Sequence, residues 1–395
     1  MKKTKGFTLI ELLATIVILG LLALIVTPGV AKVIRNSKFN TSKASLEGYI
    51  REIENASALY MSDTGVYPDS IEDLELDGKN LDKVNRINVE LENGAVKKIV
   101  ARVNDVYCRY EKGEGTECQE NMFIGEYVYY DPVNNVARCT TYTESNSASG
   151  VVEGCLRWNV LSVEEDGTLN LLLDHNIVSE VKWASKADYV TAGGDGDAYD
   201  ASTHQNSAGT TYIAGLNDKG PVTIVSQLNT ATSGWHSSLT RTDSYQDYNG
   251  DTLKYTVSYN GMKARLPEAG EIAVAVGHPT YNQNTSSSWF YLDSLNQTRI
   301  VGYGKDKKIS DYAWLFNNLG NGSQDVTNVD TCLYYGCSET QANSSGDWGY
   351  WTSTSVAGST RSAWDVHFYG FLINLTVSSA YGVRPVISLN PSIFN

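Results

Sequence analysis

At 395 residues the chain is long enough for two or three domains, and its formal net charge of -14 argues against a surface built to hold phosphate backbones, so no nucleic-acid partner is expected. With 25 Tyr and 8 Trp against only 19% charged residues, and with abundant Gly, Ser, Thr and Asn, it reads as an extracytoplasmic, β-rich protein with polar loops. Its six cysteines all follow residue 107, which suits an oxidising compartment.

The chain opens on a basic hexapeptide, Met1-Lys-Lys-Thr-Lys-Gly6, followed by Phe7 to Val26, apolar apart from two threonines and Glu11. About 20 such residues at 1.5 Å rise span a bilayer core. A secretory signal would have a shorter apolar core and a small-residue cleavage site; none follows Val26, so the segment is expected to be kept as a single-pass anchor. Lys2, Lys3 and Lys5 hold the leader on the cytoplasmic side, and everything after Pro28 is exported. A lone Glu11 at membrane depth costs up to about 3 kcal/mol, so it has to sit near the interface or find a cation.

Gly6, Phe7, Thr8, Leu9, Ile10 and Glu11 together resemble the leader junction of type IV pilins and pseudopilins. The resemblance implies that a prepilin peptidase cuts between Gly6 and Phe7 and that the new terminus at Phe7 is N-methylated. It implies further that Glu11 pairs with the Phe7 amine of a neighbouring pilin subunit, setting the stagger of a filament, and that Pro28 falls where pilin helices carry a kinking proline. The implied location is the inner (cytoplasmic) membrane, then the cell surface in a pilus-like filament.

Beyond Pro28, Leu46, Ile50, Ile53, Ser57 and Tyr60 keep helical spacing, with Glu47, Arg51, Glu52 and Glu54 on the other faces. One amphipathic stem is expected, stopped by Asp63-Thr-Gly65-Val-Tyr-Pro68. Ile87, Val89 and Leu91 alternate, Asn93-Gly94 is a tight hairpin turn, and Val96 to Val103 returns. The expected fold class is α+β: a long pilin helix on a small antiparallel sheet, then a β-rich domain. The expected divisions are 1–6 (leader), 7–62 (membrane and stem helix), 63–119 (pilin-like head) and 120–395 (second domain).

Cys108 and Cys118 bracket a polar loop that a disulfide closes as a hairpin, and Cys139 and Cys155 flank Ser/Thr/Asn-rich sequence in the same manner. Phe123 to Tyr130 reads as an aromatic strand stopped at Asp131-Pro132; Leu156–Val163 and Leu169–Asp174 form a hairpin turning at Asp166-Gly167. Asp188 to Asp251 reads as turn chemistry. Within it, Gly193-Gly-Asp195-Gly-Asp197-Ala-Tyr-Asp200 has carboxylates enough for calcium but no EF-hand pattern, and is read as a solvated loop.

Ala264-Arg-Leu-Pro267-Glu-Ala-Gly-Glu271-Ile, then Gly349-Tyr-Trp351-Thr-Ser-Thr354, Ala363-Trp364-Asp-Val-His-Phe368 and Tyr381-Gly-Val-Arg384-Pro-Val-Ile387, resemble in order and spacing the bacterial C-type-lectin-like domains related to the formylglycine-generating enzyme fold. Trp351 and Trp364 are expected to be core aromatics, and Arg384 to brace buried polar groups. The related oxidising enzymes use a cysteine pair close before the Gly-Phe-Arg strand. Cys332 and Cys337 have a similar spacing but lie upstream of Trp351, so a structural disulfide is expected. The five histidines share no ligand spacing. No catalytic residue, metal ligand or cofactor is assigned, and the chain is read as a non-enzyme. The resulting expectation is a minor or tip subunit of a pilus or type II secretion-like filament whose head meets a glycan or protein ligand. The alternatives are a membrane-tethered extracellular enzyme of that same fold and a competence-type pilin in DNA uptake.

Overall fold

The computed structural model describes residues 9–76, 83–104, 106–137, 139, 154–206, 208–247, 252–278, 280–287, 290–292, 312–316, 349–367 and 370–394, with backbone alone up to residue 31. The chain divides into two compact units, Met1–Asn121 and Met122–Asn395.

Unit 1 is one long helix and a four-stranded antiparallel meander. Helix α1 spans Leu9–Thr64 and continues through Pro28, whose missing N–H removes one rung of the ladder. It ends where the sequence supplies a left-handed residue: Gly65 has φ +78° and donates its N–H to the Met61 carbonyl at 2.9 Å, satisfying a terminal acceptor. The inward stripe is Ser42, Leu46, Tyr49, Ile50, Ile53 and Ser57, all buried, at the spacing of one helix face. Strands β1 (Val84–Glu92), β2 (Ala95–Val103), β3 (Val106–Glu111) and β4 (Gly115–Gln119) follow in spatial order. The stripe packs with Val84, Val96, Ile99, Ala101, Val103, Val106 and Cys108 of this sheet. Ser42 donates its hydroxyl to the Val103 carbonyl (3.0 Å), which removes the cost of burying it.

The β1–β2 turn shows how sequence dictates this unit. Glu92 pairs with Ala95, leaving Asn93 (φ 51°) and Gly94 (φ 76°) as a two-residue turn with both φ positive, the hairpin geometry Asn-Gly favours. Close packing adds a second demand, because a Cβ on Gly94 would stand 2.5 Å from Tyr67 Cδ1 and 2.6 Å from Ser57 Oγ. The β1 alternation is broken by a bulge between Arg86 and Asn88, so Ile87, Val89 and Leu91 are only partly buried. Cys108 and Cys118 face each other across β3 and β4 and are bonded, with Cα atoms 4.1 Å apart.

Unit 2 is built on two sheets. β5 (Tyr127–Asp131), β6 (Val136–Ala137), β7 (Leu156–Val163), β8 (Leu169–Leu173) and β19 (Val386–Leu389) form a five-stranded sheet in the order β19-β8-β7-β5-β6. The β7–β8 hairpin turns at Gly167 (φ +87°), with Asp166 Oδ1 accepting the Thr168 amide. β9 (Val178–Lys182), β14 (Phe290–Tyr291), β15 (Gly349–Ser355), β16 (Ser362–His367), β17 (Phe371–Thr376) and β18 (Ala380–Val383) form the other, ordered β14-β17-β16-β15-β18-β9, with β15 and β18 parallel. Leu161, Leu172 and Val386 from the first sheet, Tyr350, Trp364, Val366 and Leu372 from the second, and Ala269 and Ile272 of a short helix share one core. The second disulfide, Cys139–Cys155, is also formed.

One expectation is overturned. Asp188 to Asp251 is not mostly turn: together with the residues just before it, it holds helices α2 (Lys186–Thr191), α3 (Gly196–Ala201) and α4 (Val222–Ala231), and strands β10 (Thr203–Gln205), β11 (Thr211–Ile213) and β12 (Thr242–Gln246). β12 pairs with β13 (Leu253–Ser258). The helices are too short to display a periodic apolar face and are held by single anchors: Tyr189, Tyr199, and the Ile224/Leu228 pair, all buried. The acidic cluster is helix-terminal chemistry here. Asp195 caps α3 by accepting the amides of Asp197 and Ala198, and Asp200 pairs with Lys186.

Candidate functional site

Of the residues assigned at the N-terminus, Gly6 and Phe7 lie outside the described residues. Glu11 stands in the first turn of α1, and Pro28 lies within the same helix. Among the side chains described, no helix is long and apolar enough to cross a membrane; those of Phe7–Val26 lie outside them. Cys332 and Cys337 also lie outside the described residues.

Unit 2 contains two buried arginine centres, both in the segments that carry the lectin-like motifs. Arg265, fully buried, donates Nη1 to Glu271 Oε2 (2.7 Å) and Nη2 to Glu271 Oε1 (2.5 Å), and its backbone bridges Val386 of β19. Glu271 also accepts the Glu268 amide, closing a capping box at the start of helix α5 (Ala269–Ala275). Burial pushes the Glu271 carboxyl up, but the Arg265 guanidinium outweighs it and holds the group below the usual range. Glu268 goes the other way: burial, then the neighbouring Glu271 and Asp243 charges, raise it despite Arg241. Arg241 ties Glu268 to Asp243, and Gln283 donates to Glu268 (2.8 Å) while accepting the Gly270 amide (2.9 Å).

Arg384, also fully buried, lies over the Tyr350 ring (4.4 Å to the centroid) and donates to the Trp314 and Leu315 carbonyls, both at 3.3 Å. Close by in sequence to its partner Asn176, Asp174 accepts from Arg157 Nε (2.7 Å) and is hydrogen-bonded to His175 Nδ1 (2.6 Å). These interactions brace the fold, with Arg265 Nε and Asp243 Oδ2 buried without a hydrogen bond.

The opposite face of the six-stranded sheet is different. Along β16, Trp364 and Val366 enter the core, so Ala363, Asp365 and His367 face away from it. Asp365 sits beside Trp351 of β15 and Ile373 of β17 in register. It is 0% exposed, and among the described residues it is the one carboxylate with both oxygens buried and without a hydrogen bond. Burial pushes its pKa well above the usual carboxylate range and outweighs the lowering effect of its own backbone amide, whose approach to the carboxyl falls short of hydrogen-bond geometry. It packs closely on Gly349, where a Cβ would stand 2.3 Å from the Val366 carbonyl oxygen and 3.0 Å from Asp365 Oδ2. Trp351, fully buried, meets the half-buried Tyr381 edge to face (5.2 Å), and Tyr381 lies 6.4 Å from the His367 ring. Desolvation lowers the His367 pKa to about 4, so the ring is neutral at physiological pH.

Sequence reasoning quoted Asp365 and His367 within a motif without singling them out. Their alternation with Trp364 and Val366 is the pattern of a half-exposed strand, and it places both on a solvent face. Burial of that face depends on tertiary contacts that the alternation does not encode.

Residues 1–27 match the prokaryotic N-terminal methylation motif. The chain is also similar to the type II secretion system core protein G of Vibrio cholerae, 38% identical over 78 residues, which is 19% of this chain and 49% of that protein. The chain thus spans about half the length of the curated relative it matches. No solved structure matches. The two matches support a pilin- or pseudopilin-like N-terminal part; neither bears on the lectin-like character of unit 2.

Proposed function

We propose that the chain is a pilin-like subunit, a minor or tip component of a pilus or type II secretion-like filament, and that unit 2 is its ligand-binding head. The observation that carries this reading is the N-terminal motif over residues 1–27, with Glu11 the only charge in an otherwise apolar helical segment. In this reading a prepilin peptidase removes residues 1–6, Phe7 becomes the methylated terminus, and the segment to Val26 holds the subunit in the cytoplasmic membrane before assembly. Glu11 then meets the Phe7 amine of a neighbouring subunit, where the pairing offsets the cost of burying a carboxylate in lipid. The C-type-lectin-like assignment of unit 2 is supported by the roles its motif residues take: Arg265 with Glu271, and Arg384 under Tyr350, hold the interior together. A head of this size favours an end position over a tightly packed shaft, and its ligand is a surface glycan or protein.

Two variants test the reading. Gly6→Val is expected to leave an uncleaved precursor; mass spectrometry that finds Phe7 as the N-terminus of that variant rejects the cleavage site. Glu11→Ala is expected to be inserted and processed yet poorly recovered in the sheared filament fraction. Wild-type recovery of that variant by immunoblot overturns the assembly role.

A further inference from the structure

We propose that the first exposed turns of α1, which carry Lys32 and Arg35, bind anionic phospholipid headgroups of the membrane leaflet from which the helix emerges. The inference rests on reading Phe7–Val26 as the membrane anchor, and it names what the polar end of that anchor meets.

Sequence and exposure point the same way. No Asp or Glu stands between Glu11 and Glu47, although the chain holds 45 of them, while Lys32, Arg35, Lys38 and Lys43 all fall in that run. All four basic residues are exposed, and among the described residues none of them has an ion pair. The i+3 and i+4 rows leading back from the buried Ser42 and Leu46 pass through Phe39, Lys38, Arg35 and Lys32. The face of α1 that packs on the sheet farther along is therefore basic and exposed here. Val33 and Ile34, 68% and 64% exposed, share these turns. An apolar pair among cations suits the boundary between acyl chains and headgroups, where the alkyl parts leave water and the charges stay in the polar layer.

Height decides which charges count. At 1.5 Å per residue Lys32 and Arg35 stand about 9 and about 14 Å beyond Val26 along the helix, Lys38 about 18 Å and Lys43 about 26 Å. The headgroup layer is about 5–7 Å deep on each side, and the field of an anionic surface reaches a Debye length, about 8 Å, beyond it. Lys32 and Arg35 fall inside that range, Lys38 lies past its edge and Lys43 well outside. A second copy of this acidic chain is the competing occupant, but all four cations are exposed to it alike, whereas a lipid surface ranks them by distance from the anchor. Charge balance adds to this. Removal of residues 1–6 takes away Lys2, Lys3 and Lys5, so the processed subunit keeps its basic side chains next to the anchor on the exported side alone, where anionic lipid compensates them.

Full-length protein in neutral-detergent micelles is titrated with phosphatidylglycerol and with phosphatidylcholine of the same acyl chains, and bound lipid is counted by native mass spectrometry. The expected result is a preference for phosphatidylglycerol that falls as salt rises. Lys32→Gln and Arg35→Gln are each expected to lower that preference about fivefold, the effect of one basic residue near an anionic surface, whereas Lys43→Gln leaves it unchanged. Any contribution of the leader lysines is common to all the variants and cancels. Circular dichroism reports that these variants, altered only at exposed positions, keep their helix. Equal affinity for the two lipids, an equal effect of Lys43→Gln, or no effect of Lys32→Gln and Arg35→Gln overturns the proposal. So does displacement of lipid by inorganic phosphate beyond that by chloride at equal ionic strength, which identifies a free-anion site. Loss of self-association in Lys32→Gln and Arg35→Gln with lipid preference unchanged identifies a second copy as the occupant and overturns it too. Alkaline carbonate washing of membranes separates this site from the anchor reading. Wild-type protein that is washed out overturns both; protein that stays with the membrane yet shows no lipid preference keeps the anchor and refutes the headgroup site.

Discussion

Replacing Glu271 by Gln removes one charge from the interior of unit 2 while keeping side-chain shape and a residue type that still closes the capping box. Arg265 is then a fully buried guanidinium facing a neutral amide in place of a bidentate carboxylate held at 2.5 and 2.7 Å. Breaking a buried pair from one side costs about 3–5 kcal/mol; the Gln oxygen still accepts one bond, so the lower end, about 3 kcal/mol, is expected. All eight tryptophans lie in unit 2, so their emission reports its unfolding alone. With a urea slope of about 3 kcal/mol per M, the midpoint falls by about 1 M. The sign with pH follows from the depressed Glu271 pKa. Its stabilising contribution is fully present above about 4.5, the ordinary glutamate value, and is lost as pH falls through the folded value, so the gap between wild type and variant closes in acid. Pairing Glu271→Gln with Arg265→Met is expected to restore part of the loss, because removing both charges leaves neither unpaired. A midpoint shift under about 0.3 M for Glu271→Gln, or strict additivity in the double variant, would refute the claim that this pair is a desolvated unit.

Non-reducing peptide mapping of exported protein is expected to show Cys108–Cys118, Cys139–Cys155 and a third local bridge, Cys332–Cys337, with no free thiol; a bridge between the first pair and the last would overturn the division of the chain. Gly94→Ala is expected to destabilise unit 1 by about 1–2 kcal/mol, since the new methyl meets Tyr67 and Ser57 at a φ of +76°. Hydrogen exchange of the β1 and β2 amides checks it, and unchanged protection argues that Tyr67 moves aside freely.

What the sequence discloses depends on how local the cause is. The Asn93-Gly94 turn, the Gly65 helix end and the inward stripe through Leu46, Ile50 and Ile53 are set by residues within one or two turns of each other, and all were legible. So were the Cys108–Cys118 and Cys139–Cys155 bridges, each closing a short loop. The helices between Lys186 and Ala231 were not, because six- to ten-residue segments with one or two buried anchors give no period to read. The partners of Arg265 and Arg384 divide along the same line. Glu271 lies six residues from Arg265, on the same motif, whereas Tyr350 and Asn176 reach Arg384 only through the sheet, at separations no spacing rule covers.

The same contrast isolates Asp365. A β-rich unit with few charged residues has to account for each ion it buries, and arginines account for several: Arg157 for Asp174, Arg265 for Glu271, Arg241 for Glu268 and Asp243, while Asp131 accepts the Val133 and Asn134 amides. Each of these arginine-paired carboxylates has a cation within the fold. Asp365 has none among the described residues. Its strand is already paired on both sides, its neighbours in register are Trp351 and Ile373, and an apolar residue of similar size would fill its place at lower cost. Asp365→Asn is therefore expected to raise the stability of unit 2 at neutral pH, with a gain that shrinks as pH falls toward the ordinary aspartate value, because a raised pKa destabilises the fold only where the unfolded chain has already given up its proton. Urea midpoints followed by tryptophan emission at neutral and at acidic pH check this. An unchanged or lower midpoint for Asp365→Asn at neutral pH refutes the cost assigned to this buried carboxyl.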